Sequence, residues 1–389
     1  SGNDDIDYFA ARSYFRSALF LHDVAGLSFD GIGNTKIQWE TTRRLNVGLE
    51  ASLLQNRLGV AVNYFRSTTD NLLTRQSLGF LSGLEQNWNN GGKLQNEGFD
   101  VSVTAKIIAA KDWQWQLGAT VGHYKNKITA LPNGENYVDT PIYGAVVRSQ
   151  IGQAANLFYG YKSLGIFSTT EEARAAGTSD PLGLYFLAEN GVDRSYFEAG
   201  DVHFADLNGD GMITTDDADQ TIIGDPNPDI YGNIFTTVAW KRLKLDVNFS
   251  YSLGNDVYNY MRSQLEGGSR FMNQTTAMER RWQREGQQTD MPRITFQDPM
   301  GNARFSDRWI EDGSYLRLKS ATLSYDLPLK SEYIQGLQFW IQGNNLLTFT
   351  KYLGSDPEFA MSGAVLGQGI DLGRLGQSRS IVAGVKINL

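Results

Sequence analysis

The sequence predicts an all-β protein, an antiparallel transmembrane β-barrel of which about ten strands are present, and three observations predict it. Apolar and polar residues alternate with period two over many separate stretches. The clearest stretches run 9 to 12 residues, near the roughly 9–11 that a tilted bilayer-spanning strand needs and above the roughly 5–6 typical of other sheets. Tryptophan and tyrosine recur where these stretches end (Trp113, Tyr124, Tyr231, Trp240, Tyr251), where an interfacial aromatic girdle would place them.

In chain order, weak alternation marks a strand near Tyr8–Leu21. From Leu45, one face reads Leu45, Val47, Leu49, Ala51, Leu53 and the other Arg44, Asn46, Gly48, Glu50, Ser52. A weaker pattern covers Arg57–Leu72. Phe99, Val101, Val103, Ala105 and Ile107 then oppose Asp100, Ser102, Thr104 and Lys106, and Trp113, Trp115, Leu117, Ala119 and Val121 oppose Gln114, Gln116, Gly118 and Thr120. Ile230–Trp240 follows, then Leu243 to Tyr251 against Lys244, Asp246, Asn248 and Ser250. Tyr315–Leu327, Leu337–Leu347 and Ser380–Leu389 complete the set. Each reads as an antiparallel strand with one greasy and one wet face.

Short turns at Leu54–Arg57, Ala109–Asp112 and Lys241–Arg242 alternate with long polar segments at 129–145, 168–229 and 254–314. Outer-membrane barrels carry short turns at the periplasmic end and long loops outside the cell. A soluble β-sandwich also alternates, because its inner faces are apolar. A glycan-binding or adhesion sandwich is therefore the competing reading, and strand length and aromatic placement favour the barrel. A curved sheet of about ten strands has two unpaired edges, which lipid does not tolerate. Residues 1–389 are accordingly expected to be the C-terminal portion of a larger plugged barrel, with the plug elsewhere and the chain beginning inside something longer.

Composition narrows the function classes. With 41% hydrophobic and 20% charged residues the chain is a folding sequence. The 41 glycines and 9 prolines suit many strands joined by turns. No cysteine occurs, which excludes thiol nucleophiles and thiolate metal sites. A net charge of −8 argues against nucleic-acid binding. No apolar run reaches the roughly 20 residues of a transmembrane helix, which leaves a barrel open. Ser1–Asp5 has neither the basic start nor the apolar core of a signal peptide.

The sharpest local motif is Asp206-Leu-Asn208-Gly-Asp210-Gly211-Met212-Ile213-Thr214-Thr-Asp216-Asp217. It matches the calcium-loop spacing of oxygen ligands at positions one, three, five, seven and twelve. Asp206, Asn208 and Asp210 would ligate through side chains, Met212 through its carbonyl, and Asp217 would close the shell. Gly211 permits the sharp turn and Ile213 pins the loop. Asp stands where Glu is usual at the last position. The expectation is a structural calcium stiffening residues 200–229; the alternative is an Asp/Asn/Gly turn without metal.

Catalytic signals are poor. His22, His123 and His203 stand far apart, and no Gly-x-Ser-x-Gly, His-Glu-x-x-His or phosphate-cradling loop occurs. His123 continues an apolar face near a strand end, and Gly367-Gln-Gly369 opens no helix. An enzyme is not expected. Residues 275–285, with Arg280, Arg281, Trp282 and Arg284, read as a short basic helix that is solvated or touches a sugar or peptide. Tyr196, Phe197, Tyr258 and Tyr260 either stack on a sugar or fold their loops.

Several of these motifs together resemble the SusC/RagA-type TonB-dependent outer-membrane transporters. The resemblance rests on Gly33-Asn34 to Trp39-Glu40-Thr41-Thr42, Asn46-Val-Gly48-Leu49 and Asn90 to Asn96-Glu-Gly98-Phe99-Asp100. The calcium-like loop and Gly224-Asp225-Pro226-Asn227-Pro228 follow. Most specific are Trp309-Ile-Glu-Asp312-Gly313-Ser314-Tyr315-Leu316-Arg317-Leu318, Gly343-Asn344-Asn345-Leu346-Leu347, Lys351-Tyr352 and Asp356-Pro357-Glu358. The motifs cover most of the chain in the right order. The resemblance implies an N-terminal plug and a barrel of about 22 strands. It further implies import of oligosaccharide or peptide across the outer membrane of Bacteroidetes-type bacteria, a SusD-like surface lipoprotein as lid, and energy from the TonB complex. Two departures stand out. No plug or TonB-contacting segment is present, and Leu375-Gly-Gln-Ser378 lacks the proline expected before the last strand, which ends on Leu389 where an aromatic is common.

Overall fold

The computed structural model describes residues 10–19, 25–77, 86–177, 180–328, 333–359 and 367–388. The outer parts of the expected Tyr8–Leu21 strand, and Leu389, lie outside them. The chain forms two compact units: residues 1–106, 118–139 and 148–155, and residues 107–117, 140–147 and 156–389.

In the first unit, β1 (Tyr14–Leu19) pairs with β2 (Ala25–Gly31). A separate antiparallel run holds β3 (Thr41–Leu53), β4 (Leu58–Ser77), β5 (Gln86–Ala109) and β6 (Trp113–Ala130). Register places Leu53, Leu58 and Ala105 side by side, then Ala51, Val60 and Val103, then Leu49, Val62 and Val101, then Val47, Tyr64 and Phe99. Leu45, Val47 and Leu49 are 59%, 60% and 70% exposed. A sandwich would bury that face against a second sheet. The soluble reading therefore fails on exposure, although it agrees on alternation. Leu45 to Leu53 at ~3.4 Å per residue is roughly 30 Å of strand; tilted by ~40° it stands roughly 23 Å tall, close to the ~25 Å apolar band of outer-membrane barrels. Above the band the face turns ionic: Asp70 pairs with Arg43 and Lys93. β4 and β5 continue well past it, so these strands are longer than their alternation indicates. Polar residues replace apolar ones outside the membrane, and the periodic signal stops while the ladder does not. Gly98 lets β5 approach closely, because a Cβ there would collide with the His123 carbonyl oxygen and the Phe65 ring.

Leu49 sits at the middle of the band. Leu49→Arg is expected to destabilise the folded protein in lipid vesicles by about 2–4 kcal/mol, read from urea unfolding. Glu50→Gln, on the other face, should change it by under about 0.5 kcal/mol. Equal effects would remove the lipid-facing assignment.

β7 (Tyr137–Ile142) and β8 (Ala145–Gln150) meet at a Tyr143–Gly144 turn with positive φ at both residues. The remaining elements belong to the second unit. The long polar segments 168–229 and 254–314 prove to be folded there. β9 (Leu157–Tyr161) and β10 (Ser163–Ile166) precede α1 (Thr170–Ala175), whose Thr169 and Glu172 form a capping box. β11 (Tyr185–Leu187), β12 (Arg194–Tyr196), β13 (Val202–Phe204), β14 (Met212–Ile213) and β15 (Gln220–Gly224) are short. β15 pairs with β9, and β13 with β10. Phe167, Phe197, Val202, Phe204 and Ile213 form the core beneath them, all 2% exposed or less. Alternation over two to five residues is too short to register as period two in the sequence, which is why these strands read as loop.

β16 (Ile230–Trp240) and β17 (Leu243–Leu253) form a tight hairpin, with Lys241 at φ 54°. β18 (Asp256–Asn259), α2 (Tyr260–Glu266) and β19 (Ile310–Asp312) follow, then β20 (Tyr315–Leu327), β21 (Gly336–Thr350), β22 (Ile370–Asp371) and β23 (Ser380–Asn388). The long strands run β23-β21-β20-β17-β16, with Trp113–Leu117 of β6 beside β16. Their register continues one exposed apolar face: Val385, Phe339, Tyr325 and Leu243 fall in line, and Leu243 pairs with Trp240, whose ring lies 6.1 Å from that of Trp113. The opposite face is polar, with Gln338 donating to Asp326 and Lys244 paired with Asp246. Both ladders of β20 skip Lys319, facing a bulge at Asn345 (φ 52°). Asparagine tolerates that conformation. Its side chain donates to Ser378 O, and Asn344 donates to Ser380 Oγ, which accounts for the Asn-Asn pair. The bulge keeps Leu316 and Leu318 on the apolar face while Arg317 and Lys319 both reach acids on the other. A second core of Phe158, Tyr258, Trp309, Ile370 and Val147 seats β18, β19 and β22.

Candidate functional site

Two places in the second unit combine chemistry with a defined geometry. The first is the 206–219 loop. Asp206 accepts from the N–H groups of Gly209 and Gly211, each at 2.7 Å. Asn208 accepts from Asp210 N and donates to Asp210 Oδ2, and Asp210 accepts from Met212 N. The three predicted side-chain ligands thus fold inward on one turn, with Gly209 and Gly211 at positive φ. Met212 begins β14, and Ile213 is fully buried, as its pinning role requires. Asp217 is placed differently. It opens a short 3-10 turn and is exposed. The acid that turns back on the loop is Asp219, fully buried, accepting from Leu207 N, Thr214 N and Thr214 Oγ1. Burial pushes the Asp219 carboxyl up; those hydrogen bonds oppose the rise and the charge of Asp206 adds to it. Sequence spacing missed Asp219 because Thr215–Asp217 lengthens the loop beyond the twelve-residue pattern. Among the described residues no group of three His, Cys, Asp or Glu side chains converges, so an ion here would rely on Asn208 and main-chain oxygens as well.

The second place is a cleft. An inner pocket of 180 Å³ is lined by Tyr258, Phe305, Trp309 and Met272 together with the polar Ser263, Gln264 and Ser269. A wider cavity of 640 Å³ shares Ser269, Arg270 and Ala303 with it and is bounded by Phe271, Phe296, Gln297 and Asp298. Phe271 is 93% and Phe296 63% exposed, with rings 5.2 Å apart. Exposed aromatics at that level mark interaction surface rather than core. Their backbone is held rigidly from behind. Arg262 bridges Glu266 and Glu311 at 2.7 Å each, and Thr275 donates to Glu266, fixing the segment that leads to Arg270. Arg293 grips Asp201 through Nε and Nη2, and Asn302 donates to the same carboxylate, fixing the segment that carries Phe296. Gln297 N donates to Ser269 O and ties the two together. Asp298 accepts from Asn302 N and Ala303 N; burial raises its pKa and those bonds oppose the rise.

The aromatic candidates divide. Phe197 and Tyr258 are buried and belong to the cores, while Tyr196 donates to Asp180. Tyr260 is half-buried, edge-on to Tyr143, which is 50% exposed. The expected basic helix at 275–285 shrinks to a 3-10 turn, Thr276–Arg280. Trp282 lies against Gly200 (φ 86°), where a Cβ would meet the indole at 2.6 Å, and donates to Ser168 O. A packed tryptophan at that point ends the helical repeat. Arg270, Phe271 and Phe296 escaped sequence reading because scattered loop aromatics carry no periodic signal.

Residues 5–259 match the TonB dependent receptor-like, beta-barrel family. TonB-dependent receptor P3 of Formosa agariphila is 32% identical over 373 residues, which is 92% of this chain and 35% of that receptor. TonB-dependent receptor SusC of Bacteroides thetaiotaomicron is 26% identical over 347 residues, 84% of this chain and 30% of SusC. Among solved structures, the RagAB peptide importer in its open-open state aligns over all of this chain and 39% of that one, at 26% identity and a TM-score of 0.75. The chain therefore spans 30–39% of the length of these proteins.

Proposed function

Because the chain belongs to the TonB-dependent receptor-like β-barrel family, whose members are outer-membrane barrels, we propose that it forms part of the wall and outer loops of an active nutrient importer. The cargo is glycan or peptide. A SusD-like surface lipoprotein works with it, and the TonB complex drives it through a plug supplied by the rest of the protein. The observation that carries this reading is the exposed apolar strand face that each unit presents by itself, with Leu49 and Val62 in one and Leu243, Phe339 and Val385 in the other. Similarity to SusC and to the RagAB importer supports the lipoprotein and the energy source. The test is extraction from native membranes: the complete protein should need detergent and should carry a lipoprotein with it. Isolation without detergent, as a water-soluble monomer, would contradict the proposal.

Calcium belongs to the same reading. Asp206, Asn208, Asp210 and the Met212 carbonyl would hold the ion, with Asp217 or, better placed, Asp219 completing the shell. The donor set is all oxygen, as calcium prefers. A buried carboxylate beside a second acid, as Asp219 is beside Asp206, gains from a cation. Bound calcium would fix the 206–219 turn on Ile213 and stabilise the first loop core. Chelated protein titrated with calcium in a calorimeter should take up one ion per chain and then resist proteolysis within 200–229. Asp206→Asn should weaken uptake at least tenfold. Absence of heat and of protection would leave a turn held by hydrogen bonds alone.

A further inference from the structure

Resting on the import reading above, we infer that the cleft at Arg270, Phe271 and Phe296 selects peptides that end in a carboxylate and carry an apolar side chain. Several polar groups of the cleft are committed to the protein itself. Tyr258 Oη lies within hydrogen-bond reach of Tyr143 O and Ser263 Oγ, and Ser263 Oγ within reach of Tyr260 O, so the protons of both hydroxyls are spent among these acceptors. Both oxygens of Asp298 are taken by backbone N–H groups, and Trp309 Nε1 donates to Arg304 O. Arg270 is the charged group left over, beside the Ser269 hydroxyl and the Gln297 side chain. It is exposed, lines both cavities, and among the described residues its guanidinium has no ion pair or hydrogen bond.

A neutral oligosaccharide needs a lattice of donors and acceptors, since hydroxyls without partners lose their hydration for nothing. The wider cavity offers a mostly apolar wall, one uncommitted cation and only two neutral polar side chains, Ser269 and Gln297, beside it. Phe271, Phe296 and Met272 have no polar atom to give a sugar hydroxyl except the weak thioether. A guanidinium presents parallel N–H groups that match a carboxylate in a two-pronged pair. A cavity of 640 Å³ lies within the roughly 300–1,000 Å³ range of small-ligand sites. The inner pocket between Tyr258, Phe305 and Trp309 has room for one side chain. The charge on Arg270 and the Phe271 and Phe296 rings at the wider cavity together specify an apolar residue next to a free carboxylate. A flat protein contact explains the exposed rings but not the cavity they line.

The experiment uses the complete importer, purified in detergent with its lipoprotein, and three probes: the tripeptide Ala-Leu-Phe with a free C-terminus, its C-terminal amide, and neutral maltotriose. The acid form should bind at least fivefold more tightly than the amide. Arg270→Gln should erase that difference, and Phe271→Ser or Phe296→Ser should weaken both peptides severalfold. All three side chains are exposed or at the cleft rim, so folding is spared, and retained lipoprotein checks it. No binding of the acid form, equal binding of acid and amide, or maltotriose binding that depends on the same three side chains would each overturn the inference. So would loss of the lipoprotein from Phe271→Ser with peptide binding unchanged, which would assign the rings to a protein contact. Uptake driven by the proton gradient is read in parallel. If uptake is present and discrimination absent, only the cleft assignment fails; if energised uptake is absent, the import reading fails whatever the cleft binds.

Discussion

Replacing Arg317 by methionine will destabilise the outer end of the β20–β21 hairpin by about 3–5 kcal/mol, the cost of leaving a buried charge without its partner. Arg317 is 2% and Asp356 6% exposed, and the two are in direct contact. Arg317 also approaches Glu358, which Lys319 holds at 2.7 Å. The bulge that skips Lys319 brings both cations to these acids, and the Asp356-Pro357-Glu358 segment returns over the strand to meet them. Heat-induced mobility shift on gels and thermal unfolding in detergent should both show the loss. Arg317→Met combined with Asp356→Leu should recover much of it, because the uncompensated charge is then gone. Burial alone would raise the Asp356 carboxyl. The Arg317 hydrogen bond and the N–H groups of Gln377 and Glu358 outweigh burial and hold it below the usual carboxylate range. A carboxylate lowered on folding contributes stability that is complete above its unfolded value, about 3.9, and lost as pH falls through the folded one. The segment should therefore be insensitive to pH at neutrality and loosen only in acid, and Asp356→Asn should remove that dependence.

Trp309→Ala is the second large effect, about 3–5 kcal/mol. Trp309 is 1% exposed at the centre of the second loop core, donates to Arg304 O, and lies under the guanidinium groups of Arg262 and Arg308. Arg262 is paired with Glu266 and Glu311, and burial, helped by the charge of Arg262, lowers Arg308 to about 10. Removing the ring takes away the surface against which they stack and opens the inner pocket into the core. Hydrogen exchange should rise across 254–314 and at Ile370, while β16, β17, β20 and β21 remain protected. Uniform loosening of every strand would mean that loop core and barrel wall unfold as one.

The two effects fall on different kinds of sequence signal. The wall was legible because each long strand repeats one instruction, apolar outward and polar inward, over nine residues or more. Ile230–Trp240 and Tyr315–Leu327 came out with the bounds their alternation gives. β4 and β5 overran theirs, since a strand leaving lipid keeps its ladder and loses its pattern. The loop assembly was not legible. Its strands are two to six residues long, and its cores draw on residues far apart in sequence, such as Phe158, Tyr258, Trp309 and Ile370. The turn at Asp206–Met212 announced itself through glycine and acid spacing, yet Asp219, which closes it, fell outside the spacing rule. Arg270 and Phe271 became candidates only once folding set them beside Phe296.

The most direct test of import is uptake by cells producing the complete protein, with a labelled peptide pool and a labelled glycan pool offered in turn. One pool should enter against its gradient, stop within minutes of adding a protonophore, and fail in cells without TonB. Entry that continues at the same rate without a proton gradient and without TonB would contradict the account and leave a passive channel.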